Sequence, residues 1–171
     1  NTRSRGLGDV YKRQVISNTG QIIWPDKLMM LFSKHLLNAN PGATIISDVK
    51  CSMDLARVVQ RHQGEYLMWR TGHSHIKSKM AETGALLGGE FSGHICFRDK
   101  WYGYDDALYS AARLLDVLAN SDKSAHELFD EFPTRYCTPE IKIETTESRK
   151  FEIIDAPVSY THLRAHETAY Y

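Results

Sequence analysis

The stretch ATIISDVKCSMDLARVVQRHQGEYLMWRTGHSHIKSKMAETGALLGG, residues 43–89, decides the fold. It holds three short apolar runs separated by two helical patterns. Ala43-Thr44-Ile45-Ile46-Ser47-Asp48 reads as a buried strand. Ser52 can cap a helix whose apolar face is Leu55, Val58 and Val59 and whose end is Gly64. Tyr66-Leu67-Met68-Trp69-Arg70 is a second strand. A helix carrying Ile76 and Met80 follows Thr71-Gly72 and runs to Gly84, and Ala85-Leu86-Leu87-Gly88-Gly89 begins a third strand. Strands joined by helices of roughly ten residues predict parallel pairing with right-handed crossovers.

Outward from this unit the pattern changes. Only Phe91-Ser92-Gly93 separates the third strand from His94-Ile95-Cys96-Phe97-Arg98. That is too short for a crossover, so the fourth strand turns back antiparallel. Asp105 and Asp106 start what reads as the longest helix, with Leu108, Ala111, Ala112, Leu115 and Leu118 as its buried stripe. Ser124 and Glu127 have capping-box spacing for a smaller helix anchored by Leu128 and Phe129 and ended by Pro133. Upstream, Asn18-Thr19-Gly20 marks a turn between two apolar runs. Pro25 opens a helix with Leu28, Leu31, Phe32, His35 and Leu36 in helical spacing, stopped by Asn38 to Gly42. Ile141 to Glu144 alternates like a strand with one exposed face. The expected class is α/β: a three-layer α/β/α domain with a small mixed sheet, three strands parallel and one antiparallel.

Composition narrows the function classes. The 171 residues are 42% hydrophobic and 25% charged, which excludes a disordered or fibrous chain. Lys plus Arg equals Asp plus Glu at 21 each, so no net field steers the chain to nucleic acid or anionic lipid. No apolar run reaches the roughly 18 residues of a membrane span. Three scattered cysteines, Cys51, Cys96 and Cys137, make neither a disulfide framework nor a zinc site and point to a reducing, cytoplasmic setting.

Both ends read as foreign to the domain. SRGLGDVYKRQ in front and PVSYTHLRAHET behind look like translated sequencing adapter, so residues 1–14 and 158–171 stand outside the fold reasoning, with native disordered tails as the alternative. Without them the charge balance turns slightly acidic. A chain trimmed by accident at both ends is expected to be a piece of a larger protein.

In an open α/β sheet, ligands collect at the carboxyl ends of the parallel strands. Here those ends are Asp48-Val49-Lys50-Cys51-Ser52, Thr71-Gly72-His73-Ser74 and Glu90-Phe91-Ser92-Gly93-His94. Lys50, His73, Glu90, Ser92 and His94 thus converge on one edge beside two helix N-termini, a combination suited to a hydroxyl-rich anion such as a sugar phosphate. Each has a plainer reading. Lys50 is otherwise a solvated loop lysine, His73 a helix-capping residue, Glu90 an exposed loop carboxylate, and Ser92-Gly93 a hairpin turn. Gly93 lets backbone approach a ligand closely. Trp101-Tyr102-Gly103-Tyr104 reads as a loop packed on the core, with an aromatic platform for a sugar as the alternative. His73-x-His75 has metal-like spacing but no third ligand in view, and Cys51 beside Lys50 is a candidate for a lowered thiol pKa. His35 and His62 sit on helix faces as packing or surface residues. No Walker loop, G-x-G-x-x-G or G-x-S-x-G is present.

Gly89-Glu90-Phe91-Ser92-Gly93-His94 resembles the GEMSGH sugar-recognition loop of the α-D-phosphohexomutases, in particular their bacterial phosphomannomutase/phosphoglucomutase branch. The resemblance continues through DVKCS at 48–52, TGHSHIK at 71–77 and WYGYDDALYSAARLL at 101–115, and runs from about Val15 to Asp155. It implies a four-domain parent. Residues 15–24 would be the tail of the preceding domain, 25–137 the sugar-binding domain, and 138–157 a linker and the start of the next domain. It also implies that Glu90 and Ser92 hold the sugar's 3- and 4-hydroxyls, with His94, Lys50 and His73 as further contacts. Phe91 stands where the family pattern has methionine. The implied reaction interconverts hexose 1-phosphate and hexose 6-phosphate, of glucose or mannose, through a phosphoserine and a bisphosphorylated sugar. The serine and the ligands of Mg2+ would lie outside this chain, which leaves it no metal site and no activity alone. Two readings compete with this one: a stand-alone sugar-phosphate-binding module using the same loop, and a metal-binding protein built on His73 and His75.

Overall fold

The computed structural model describes residues 14–134 and 144–153. The chain divides into two compact units, residues 1–134 and 135–171. In the first, a two-stranded antiparallel hairpin, β1 (Val15–Ile16) and β2 (Ile22–Ile23), precedes helix α1 (Pro25–Ala39). Then come β3 (Thr44–Asp48), α2 (Met53–Arg61), β4 (Glu65–Trp69), α3 (His73–Thr83), β5 (Leu87–Gly89), β6 (Ile95–Phe97), α4 (Ala107–Ala119) and α5 (Ala125–Asp130). The described part of the second unit ends in a helical turn at 150–153. Most of the alternating Ile141 to Glu144 stretch lies outside the described residues, as do Cys137 and all of the two flanks except Gln14. Among the described residues no helix is long and apolar enough to cross a membrane.

The main sheet has the order β4-β3-β5-β6, with β3 parallel to both β4 and β5 and β6 antiparallel to β5. This is the expected mixed sheet in three layers. From β3 the chain moves outward to β4, then returns across β3 to β5. The direction of winding therefore reverses beside β3, and the crevice between β3 and β5 opens at their carboxyl ends.

The layers are unequal. Ile45, Leu87, Ile95 and Phe97 face a large core built with α1, α2, α4 and α5, through residues such as Phe32, Leu55, Val59 and Phe129. The alternate positions Ile46 and Cys96 face a small core with Ile76 and Met80 of α3 and with Ala85. Period-two alternation splits each strand between the two cores. Ile23 of the hairpin is buried in the large one. The two glycines of β5 make room for both layers. A Cβ on Gly88 would lie 2.5 Å from the Met80 sulfur and 2.8 Å from Ile76 Cγ2, and one on Gly89 would lie 2.6 Å from the Met29 sulfur.

The local signals explain the element ends. Ser52 Oγ accepts the Asp54 amide (3.2 Å) at the start of α2, and Asp106 accepts the Tyr109 amide (2.9 Å) at the start of α4. Ser124 and Glu127 close a full capping box on α5. Gly84 ends α3 in the left-handed conformation.

Two expectations are corrected. Among the described residues the longest helix is α1, with 15 residues against 13 in α4. The buried stripe of α4 is also not the one its aliphatic residues suggest. Leu108 is 84% exposed and Leu115 65%, and Ala111 and Ala112 are exposed, while Leu118 is half-buried. The inward face is Tyr109, Ser110, Arg113, Leu114 and Val117. Arg113 explains the rotation: it pairs with Asp99 (2.9 Å) and lies over the Phe97 ring (4.8 Å), while Tyr109 meets Phe97 edge-on at 5.5 Å. A cation–π contact and an aromatic pair outweigh the aliphatic stripe in setting the helix's roll.

The contrast between β5 and α4 yields an inverted pair of stability effects. Gly88→Ala adds one methyl group and is expected to cost about 1–3 kcal/mol by overpacking. Leu108→Ala removes three carbons from an exposed position and is expected to change stability by less than about 0.5 kcal/mol. Urea denaturation of the two variants checks both.

Candidate active site

The carboxyl edge of the sheet is organised by a carboxylate that sequence reading quoted but did not single out. Asp48, the last residue of β3, is fully buried. Its Oδ1 accepts the Phe91 amide (3.0 Å) and the Cys51 thiol (3.2 Å), and its Oδ2 accepts the Thr71 hydroxyl (3.1 Å). One side chain thereby ties together the loops that follow β3, β4 and β5. A buried charge needs such donors, and here they come from all the segments carrying site residues.

Glu90 makes the second link. It is only 3% exposed, so its reading as a solvated loop residue is overturned. Its Oε1 accepts the Gly72 amide and its Oε2 accepts the Ser92 hydroxyl (3.1 Å). The turn from β5 to β6 is closed by the Glu90 amide donating to the His94 carbonyl and the Gly93 amide donating to the Glu90 carbonyl, each 2.9 Å. Gly93 has φ of 96°, a left-handed conformation that glycine adopts without strain, so the tight turn accounts for its presence there. Phe91 stacks on Trp24 at 5.8 Å, which braces the outer side of the loop.

The histidines complete the edge. The His73 ring, in the first turn of α3, lies 5.1 Å from the His94 ring. His94 Nδ1 lies 2.6 Å from Asp105 Oδ2. Four of the five predicted residues, Glu90, Ser92, His73 and His94, thus form one connected group. Lys50, the fifth, is exposed on the loop after β3, two residues beyond Asp48, on the same edge of the sheet. Asp105 was read only as acidic charge at a helix start. In the structure Asp106 alone caps α4, while Asp105 bridges to Cys96 through its backbone and turns its carboxylate to His94. The adjacent acidic pair was the signal, but sequence could not divide the two roles.

Other candidates separate from this group. Trp101 stacks flat on Tyr109 (4.3 Å, 9°), a partly buried residue packed against the large core, and is itself less exposed than Tyr102 and Tyr104. His75 is exposed, and among the described residues no three His, Cys, Asp or Glu side chains are grouped to hold a metal ion. Burial lowers the pKa of His35 and of His62, as for packed surface histidines. The lowered thiol pKa considered for Cys51 is overturned: burial, then the negative charge of Asp48, pushes it well up. A cavity of about 230 Å³ beside α4, lined by Gly93 of the β5–β6 turn with Val15, Leu28, Ile95 and Leu114 among others, carries no charged side chain.

Two consequences are measurable. Asp48→Ala leaves three donors without their acceptor and is expected to cost roughly 3 kcal/mol, with Asp48→Asn costing less because its amide oxygen still accepts; chemical denaturation decides this. The raised Cys51 pKa means that the folded chain keeps the proton while the unfolded thiol ionises, near pH 8.5. This part of the stability is present below that pH and is lost as pH rises above it. Accordingly, mass spectrometry at pH 8 should find Cys51 alkylated by iodoacetamide roughly a hundredfold slower in the native chain than in denaturant.

Comparison with known proteins places this geometry. Residues 24–136 match the family model for phosphoglucomutase/phosphomannomutase, alpha/beta/alpha domain III. The chain is 53% identical over 149 residues to a phosphomannomutase/phosphoglucomutase of Pseudomonas putida, covering 87% of this chain and 32% of that protein. It is 47% identical over 140 residues to a phosphoglucomutase of Neisseria gonorrhoeae, covering 82% of this chain and 30% of that one. Among solved structures, a phosphoglucomutase/phosphomannomutase family protein of Burkholderia thailandensis superposes with a TM-score of 0.72 at 51% identity, over 75% of this chain and 28% of that one. The chain therefore spans about a third of the length of the curated relatives it matches. With its mixed sheet, its three layers and these matches, the chain belongs to the phosphoglucomutase/phosphomannomutase family and carries that family's third, α/β/α domain.

Proposed function

We propose that this chain is the sugar-recognition domain of a phosphohexomutase that interconverts hexose 1-phosphate and hexose 6-phosphate, with glucose or mannose as the sugar. The observation that carries the reading is the state of Glu90. Its carboxylate is buried at the sheet's carboxyl edge, and each oxygen is engaged by one donor. A carboxylate offers about four lone-pair directions, so each oxygen keeps acceptor capacity for a sugar hydroxyl. The Gly72 amide and the Ser92 hydroxyl hold it in place before the sugar arrives, which spares the cost of ordering it on binding.

The roles within this reading are those that the family resemblance implies. Glu90 and Ser92 take the neighbouring 3- and 4-hydroxyls. His94 and His73 add ring nitrogens beside them, and Lys50 supplies positive charge to the phosphate end. A mutase must bind its sugar in two opposite orientations, and a two-oxygen acceptor meets a pair of vicinal hydroxyls in either. The phosphoryl group passes from a phosphoserine to the sugar and back through a bisphosphorylated intermediate, and that serine lies in another domain of the parent enzyme. Mg2+ supplies charge neutralisation at the phosphoserine in such enzymes. The described residues of this chain do not fit it, since none are grouped as a cation site. Its ligands belong to the other domains.

Titration of glucose 1-phosphate or mannose 1-phosphate into the chain tests the reading. Glu90→Gln, which keeps the shape, should weaken binding about ten- to a hundredfold, the worth of hydrogen bonds to a charged group. Trp101→Ala should leave it nearly unchanged, and equal losses in two folded variants would remove the loop's special status. A coupled assay provides a second check: the chain alone should turn over no glucose 1-phosphate, and sustained turnover would contradict the division of labour.

A further inference from the structure

We propose that Trp24 is a positioning residue for the loop that carries Glu90 and Ser92, acting through the ring of Phe91, which lies between them in the chain. The inference deepens the sugar-phosphate reading and rests on it for its purpose. The two rings are nearly parallel, with 11° between their planes and centroids 5.8 Å apart. Trp24 is itself held on both sides. Ile23 before it is buried in the large core, and Pro25 after it opens α1. A residue that precedes proline is restricted to extended backbone, and Trp24 has φ of −71° and ψ of 151°. The indole is therefore presented from a fixed stem. It is 54% exposed, so burial in a core does not explain a large aromatic side chain there, whereas the contact with Phe91 does.

Phe91 is restrained at two points. Its amide donates to Asp48 Oδ1 (3.0 Å), and its ring, partly buried against the large core, takes the stack of Trp24. The first restraint anchors the backbone, and the second opposes rotation of the loop about that anchor. Such a rotation would carry Glu90 and Ser92 with it and disturb the bonds from the Gly72 amide and the Ser92 hydroxyl that orient the Glu90 carboxylate. The start of α1 also reaches a second loop of the same edge, since Asp26 Oδ2 accepts the Ser52 amide (3.3 Å). One helix start thus braces the loops after β3 and β5. Where the family pattern has methionine, this chain has the phenylalanine that makes the stack possible. Offset rings hold a preferred geometry, whereas a thioether with three rotatable bonds adapts to many.

Nitrogen-15 relaxation of the Glu90, Phe91 and Ser92 amides in the sugar-free chain tests this. In the unsubstituted chain their order parameters should match those of rigid backbone, about 0.85. Trp24→Leu stays apolar but loses the ring, and should drop them toward the flexible range below about 0.6 or bring in microsecond-to-millisecond exchange. Trp24→Phe keeps a ring and should restore the rigid values, a rescue that a general loss of stability would not show. Phe91→Met, the residue of the family pattern, removes the stack from the other side and should loosen the same amides. A loop already flexible in the unsubstituted chain overturns the proposal whether or not any variant folds. So does unchanged loop motion in a folded Trp24→Leu or Phe91→Met chain, or a Trp24→Phe loop as loose as that of Trp24→Leu. Binding of glucose 1-phosphate should weaken about three- to tenfold in Trp24→Leu, the worth of an aromatic pair. The relaxation measurement needs no sugar, so a failure of sugar-phosphate binding in the titrations above would refute the functional reading and leave the bracing of the loop standing.

Discussion

The site depends on the burial of one carboxylate. Asp48 ends β3 with no exposure to water, and removing an acidic group from water is tolerable only when donors surround it. Those donors are the Phe91 amide, the Thr71 hydroxyl and the Cys51 thiol, one from each loop at the carboxyl edge. The same requirement that keeps Asp48 satisfied therefore brings three otherwise independent loops into register. Glu90 repeats the device one layer out, joining the Gly72 turn to the Ser92 turn. The candidate site residues rest on a shell of buried acceptors, and their positions follow from hydrogen-bond satisfaction more than from loop length.

The sheet is thin where the two layers of helices press hardest. β5 is three residues long and two of them are glycine, with Met80 and Ile76 of α3 over Gly88 and Met29 of α1 against Gly89. Close approach of the helices draws the β5 end, and with it Glu90, into the protein interior. A glutamate that follows two glycines looks like a loop residue in sequence. Its burial is a consequence of how near the helices come on either side of the strand. That burial also strengthens the interactions of the carboxylate, since they act in a medium of lower polarity than water.

Residues near one another in sequence take different roles around the site. Asp105 and Asp106 are neighbours of one type, yet the second caps a helix and the first holds a histidine ring. Along α4, Arg113 turns inward to Asp99 and Phe97 while Leu108 and Leu115 turn outward. For Asp105 and Arg113 the choice is made by a charged or aromatic partner outside the helix. The exposed aliphatic residues of α4 lie on the face opposite those partners.

Sequence by itself determined the element types and most of their ends. Periodicity, Ser52, Ser124 with Glu127, Pro25 and Gly84 are local signals, and local hydrogen bonding enforces them whatever the tertiary surroundings. It also determined that the strands run parallel and then turn back, because a three-residue link cannot cross over while a helical link must. The candidate residues Lys50, His73, Glu90, Ser92 and His94 were legible for the same reason: strand ends of an open sheet meet at one edge. The strand order, the burial of Asp48 and Glu90, the roll of α4 and the pairing of Asp105 with His94 were decided only by the tertiary structure. Each depends on a contact between residues distant in sequence, or on which of two similar side chains is desolvated, and neither leaves a periodic trace along the chain.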